Sequence, residues 1–214
     1  MITTPEPAFA RVARQLREEL IKGNYQPGQT LTEADLTVTL QASRNTVREA
    51  LRVLYAEGLV SYEPNKGVRV RILDQRDLAD IFVTRRTLEL QAVSLERPFS
   101  TTLLRQMEAV VHAEQQAAAL DDWHSVGTHS LHLHQLLVSN LGSQRMDAFF
   151  AILVAQLRLL FASAPDEHRF QQPWVDRDSQ LCQLLREQRR DEAYHLLQQY
   201  LDDSEANLLR LLSR

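Results

Sequence analysis

Hydrophobic residues recur at helical spacing through most of the chain, and one short stretch breaks the rule. Phe9, Val12, Ala13, Leu16 and Leu20 form a first amphipathic stripe, which Gly23 ends. Pro27-Gly28 makes a turn, and Thr32 stands where it can cap a short helix carrying Leu36 and Leu40. Ser43 is the N-cap of a third helix, with Val47, Ala50, Leu51 and Leu54 on one face and Gly58 after its end. The period then drops to two. Leu59-Val60-Ser61-Tyr62 and Val68-Arg69-Val70-Arg71 read as strands, joined through residues 63–67 as a hairpin tip. Helix, helix, short turn, helix and hairpin is the order of a winged helix-turn-helix, assigned to residues 1–73.

From Asp77 onward no strand signal survives. Apolar periodicity predicts helices at about 77–97, 100–120, 122–140, 144–164, 174–188 and 190–212. Six helices of this length make a bundle large enough to enclose a pocket. The fold class is therefore mainly α: an N-terminal winged helix-turn-helix (1–73), then an all-α bundle of about six helices (74–214).

The formal net charge of −4 argues against a nucleic-acid binder until it is divided. Residues 1–73 carry +2 and residues 74–214 carry −6, and arginine outnumbers lysine by 22 to 2. That bias favours forked, specific contacts over diffuse positive charge. With 44% hydrophobic and 24% charged residues the chain is not disordered. The single cysteine, Cys182, excludes an intramolecular disulfide framework and a cysteine-rich zinc module. No apolar run approaches a bilayer span, and the start lacks a secretory layout, so a cytoplasmic protein without a membrane partner is expected.

With the third helix turned at 100° per residue, Asn45, Glu49 and Arg52 point outward and Arg44 and Arg48 flank them. Arg44, Arg48 and Arg52 stack like charges four residues apart at a helix start, where the macrodipole also disfavours cations. Phosphates and guanine edges would satisfy such a row. By itself it also reads as a solvated basic face.

Pro27-Gly-Gln-Thr-Leu31, the run Leu40-Gln-Ala-Ser-Arg-Asn-Thr-Val-Arg-Glu-Ala-Leu51, Glu57-Gly-Leu-Val60 and Gly67-Val-Arg-Val70 resemble the GntR transcription regulators. The helical remainder resembles their FadR-type branch with an FCD effector domain. The resemblance implies DNA contacts by Arg44, Asn45, Thr46 and Arg48 on the third helix and by Lys66 and Gly67 at the wing tip; the outward arginine row adds Arg52 to the expected DNA face. The head departs from the family pattern in two places. Asn45-Thr46 stands where Thr-Pro is usual, and Asn suits adenine. Gln41 stands where the turn usually has Gly, at a cost if φ is positive.

In the helical half, polar residues interrupt four apolar stripes: Arg85 on the first helix, Ser130 and His134 on the third, Asp178 on the fifth, and Tyr200 with Ser204 on the sixth. Their convergence would make an effector site from Arg85, Ser130, His134, Asp178 and Tyr200. A buried arginine demands an anion: Asp178, Glu89 or a ligand carboxylate. Each residue also has a plainer reading, His134 as a core histidine, Tyr200 as packing, Arg85 as an internal ion pair and Asp178 as a first-turn acid after Pro173. The resemblance implies a divalent metal held by Asp-x-x-x-His and two later histidines. The matching positions here are Ser130, His134, Asp178 and Tyr200, and only His134 keeps its type. Serine and a neutral phenol are poor replacements, so no cofactor is required, with His134 and Asp178 the residual metal candidates.

No phosphate-cradling glycine motif, nucleophile elbow or zinc-protease helix occurs, so no enzyme is expected. The reading is a ligand-responsive bacterial transcription regulator: a homodimer on a palindromic double-stranded operator, with a small, anionic, carboxylate-bearing effector in the helical domain. Its rival is a helical protein–protein module with a vestigial DNA-binding head.

Overall fold

The computed structural model describes residues 6–63, 67–162 and 166–213. The chain forms two compact units, Met1–Ile72 and Leu73–Arg214.

In the first unit α1 (Ala8–Ile21) buries Val12, Ala13, Leu16, Leu20 and Ile21, and packs on α3 (Arg44–Ala56). The stripe of α3, Val47, Ala50, Leu51 and Leu54, is wholly withdrawn from water. Arg17 on α1 ties the two helices further, donating from Nε to Glu57 Oε2 at 3.0 Å. Between them in sequence comes α2 (Glu33–Thr39), capped by Thr32, whose hydroxyl accepts from Asp35 N at 3.2 Å. The α2–α3 turn places Gln41 at φ 49°, in the left-handed region where a side chain is strained. The predicted hairpin is β2 (Val60–Glu63) against β3 (Gly67–Val70). A third strand absent from the sequence reading, β1 (Thr30–Leu31), pairs antiparallel with β3 and gives the order β1-β3-β2. Two residues carry too little period for alternation to reveal a strand.

Among its described residues the second unit is built of helices and connecting turns, with no strand. Its first helix is α4 (Gln75–Arg85), continued by a π turn over Arg86–Leu90 into α5 (Gln91–Ser94). There follow α6 (Thr101–Ala119), α7 (Trp123–Ser139), α8 (Gln144–Phe161), α9 (Glu167–Arg186) and α10 (Arg190–Leu212). Helix α7 is central, packing against α6, α8 and α9.

Two features depart from the sequence reading. The π turn adds a residue to the register, so Glu89 comes fully inside while Leu88 is only half-buried. Helix α9 starts seven residues before the predicted 174, because Asp166 caps it by accepting from Arg169 N at 3.0 Å. Pro173 therefore lies within the helix, and buried Phe170 and Trp174 carry the apolar face through it. Asp178 is mid-helix, not in a first turn, so its acid is not explained by the helix dipole.

Candidate nucleic-acid interface and buried polar cluster

The N-terminus of α3 is fixed by Ser43, whose Oγ accepts from Thr46 N at 3.2 Å and lies 2.8 Å from Thr46 Oγ1. The Thr46 hydroxyl is thereby engaged in the cap. Arg44, Asn45, Arg48, Glu49 and Arg52 stand exposed along the outer face. The three arginines differ in what holds them. Arg48 Nε donates to both carboxylate oxygens of Glu33 on α2, at 2.8 and 2.9 Å. Arg52 donates to Glu49 one turn back, at 2.7 Å. The Arg44 and Asn45 side chains have no partner among the described residues. At the wing, Gly67 opens β3 at φ +79°, and an added Cβ would meet nothing within 4 Å. Backbone conformation, not crowding, calls for glycine there. Lys66 lies outside the described residues.

In the helical unit Arg85, Ser130, His134, Asp178 and Tyr200 are all buried, on α4, α7, α9 and α10. Ser130 Oγ lies 3.2 Å from Tyr200 Oη. The Tyr200 ring meets His134 edge-on at 5.0 Å between centroids and packs on Trp174 at 4.7 Å.

Arg85 is not free to anchor an anion, and its partner is not Asp178. Its Nε donates to Glu89 Oε1 at 2.7 Å, and Glu89 Oε2 lies 2.5 Å from His134 Nδ1. Burial alone would raise the Glu89 carboxyl, but the charge of Arg85, aided by His134, brings it below its ordinary value. An ionised Glu89 can only accept, so Nδ1 of His134 carries the proton. Nε2, also buried, has no partner.

Three further polar groups lie in this interior: Asp178 and Glu114, whose carboxyls engage each other while Asp178 also faces the Ser130 and Tyr200 hydroxyls, and Gln171, whose whole amide has no partner. Burial, then the charge of Asp178, pushes the Glu114 carboxyl up to about 11, and burial raises Asp178 as well. The pair retains protons that either acid would lose in water. Glu114 interrupts the α6 stripe of Met107, Val111 and Ala117 as Arg85 interrupts its own, a signal that could have found it. Gln171 reaches α7 because Gly127 lies opposite; a Cβ there would stand 2.6 Å from the Gln171 Nε2.

Between Arg85, Ser130, His134, Gln171, Tyr200 and Ser204 a void of about 10 Å³ remains, room for roughly one water. The enclosed, metabolite-sized pocket expected of the bundle is closed here. The residues also fit the family's metal poorly. The matched positions offer one free imidazole nitrogen and one carboxylate, and Ser130 and Tyr200 face each other. Among the described residues no three His, Cys, Asp or Glu side chains are grouped to hold a metal.

A winged helix with an arginine-lined third helix, followed by a helical unit with a polar interior, has the architecture of a helix-turn-helix transcription regulator. Residues 9–70 match the gntR family of bacterial regulatory proteins, and residues 80–203 match the FCD domain. The chain belongs to this family, in its FadR-type branch with an FCD domain. It is 31% identical over 91 residues to the HTH-type regulator YdhC of Bacillus subtilis, covering 42% of this chain and 41% of that one. It is 39% identical over 82 residues to the HTH-type transcriptional repressor GlaR of Escherichia coli, covering 38% and 37%. The chain thus spans about two fifths of the length of these curated relatives. A crystal structure of a GntR protein from Rhodococcus sp. RHA1 superimposes with a TM-score of 0.85 at 33% identity, covering 94% of this chain and 97% of that one.

Proposed function

We propose that the chain is a cytoplasmic, ligand-responsive transcription regulator that acts by binding, not catalysis. It reads a palindromic operator as a homodimer, because one winged helix covers only a half-site and two-fold partners read both halves. The observation that carries this reading is the exposed, unpaired Arg44-Asn45 at the start of α3, where recognition helices meet base edges. A vestigial head would have no use for an uncompensated guanidinium there.

The effector enters the helical unit at the His134–Tyr200 cluster, without a metal. A carboxylate-bearing effector takes the place of Glu89 on Arg85, which requires the closed interior to open. Its leverage on the DNA heads is limited to its differential affinity for the two states. Calorimetric titration with a panel of organic acids, alongside elemental analysis of protein purified without chelators, tests this. Glu89→Gln leaves Arg85 without its charged partner, so it should bind an effective acid more tightly than wild type. Stoichiometric metal on His134 and Asp178, or acids that bind the two proteins alike, would overturn it. Light scattering on residues 74–214 tests whether this part alone sustains the dimer.

A further inference from the structure

We propose that Glu33 is a positioning residue for base reading: it holds Arg48 by Nε so that only the outer fork, Nη1 and Nη2, is presented to DNA. The proposal rests on the regulator reading above and assigns a role to an acid outside the recognition helix.

The contact joins two elements. Glu33 is the first residue of α2, Arg48 is in the second turn of α3, and Nε lies 2.8 and 2.9 Å from the two carboxylate oxygens. Stability does not explain it well. The side chains are 56% and 34% exposed, and pairs so open to water contribute little to folding. An acid beside a DNA-facing arginine also repels phosphate and lowers affinity for every sequence alike. Its presence on this face calls for a compensating gain.

Geometry supplies one. A free arginine carries several rotatable bonds, and fixing them on binding costs entropy. Glu33 fixes Arg48 beforehand, and Arg48 makes no further bond among the described residues. The outer fork carries two nearly parallel N–H groups, matching the O6 and N7 acceptors that guanine shows in the major groove. Neutralising Arg48 also removes part of its pull on phosphate, so the pair exchanges general affinity for discrimination. Arg52, tied within its own helix to Glu49, and Arg44, tied to nothing, lack such a brace from a second element.

The test uses the full chain. A preferred duplex is enriched from a random library, and fluorescence anisotropy then compares it with a scrambled duplex of the same composition. Glu33→Ala should bind the scrambled duplex a few-fold more tightly, because a repelling charge is gone. Its ratio of preferred to scrambled affinity should fall about tenfold, with relaxed preference at one base pair per half-site. Glu33→Gln keeps an acceptor for Nε and should retain most of the ratio. In an Arg48→Ala background, Glu33→Ala should leave the ratio within about twofold, since a positioning residue acts only through its client. An unchanged ratio in Glu33→Ala, or an equal loss in the Arg48→Ala background, overturns the proposal. Failure of the wild-type chain to enrich any sequence overturns the regulator reading and the proposal together.

Discussion

Arg85 and Glu89 stand one turn apart on the same helical run and form an ion pair with both side chains essentially closed to water, at 2% and 0% exposure. The π turn between them brings Glu89 inward, and His134 holds its second oxygen. Removing one member of such a pair leaves a buried charge without compensation. Glu89→Ala is therefore expected to destabilise the helical unit by about 3–5 kcal/mol, read from urea unfolding. A loss below about 1 kcal/mol would mean that water or another acid takes over Arg85. Because the folded carboxyl is held below its unfolded value, its stabilisation is complete above the ordinary glutamate range. It is lost as pH falls through the lower, folded value.

Glu114 and Asp178 have the opposite sign. Burial and the neighbouring Asp178 push the folded Glu114 carboxyl up to about 11, against 4.5 for the free side chain. Between those values the unfolded chain has released a proton that the folded chain retains, so rising pH favours unfolding. The limit is about 1.4 kcal/mol per pH unit for one proton. Glu114→Gln cannot ionise and should flatten the fall in stability between about pH 6 and pH 9, leaving the variant the more stable at the alkaline end. Parallel slopes for the two proteins would show that Glu114 ionises freely.

Gln41 holds φ 49° in the α2–α3 turn, a region that costs a side chain roughly 1–2 kcal/mol. Glycine relieves the strain but gives the unfolded chain more freedom. Gln41→Gly should raise the stability of the head by about 0.5–1 kcal/mol net, seen as a higher midpoint in thermal unfolding. A lower midpoint would mean that the Gln41 side chain makes contacts that outweigh the strain.

The helical stripes were legible because burial follows a 3.6-residue period: Val126, Ser130, Leu133, His134 and Leu137 all lie inside α7. Gln41 was legible only through the family resemblance, which puts glycine at that place in the turn; periodicity does not choose between Gln41 and Ala42. What escaped depends on partners brought together only by folding. Glu89 could be named as a candidate for Arg85, but its choice over Asp178 follows from a π turn that no periodicity announces. Glu33 was invisible as a neighbour of Arg48 because fifteen residues and a turn separate them. The start of α9 escaped because Pro173 reads as a helix boundary in sequence, whereas the Asp166 cap places it inside.

The arginine row should not act as three equal contacts. Arg44 has no partner, so its guanidinium reaches DNA without breaking an existing bond. Arg52 must first leave Glu49, 2.7 Å away, or carry that acid toward the phosphates. Arg44→Ala is accordingly expected to weaken binding to the preferred duplex by about tenfold or more, with relaxed preference at the base it reads. Arg52→Ala paired with Glu49→Ala removes one charge of each sign and should change affinity by less than about threefold, with an unaltered salt slope. The comparison requires titrations at several salt concentrations, since loss of a phosphate contact would lower the slope by about one unit across all sequences. If the double variant loses as much affinity as Arg44→Ala, Arg52 contacts the duplex directly and the Glu49 pair opens on binding.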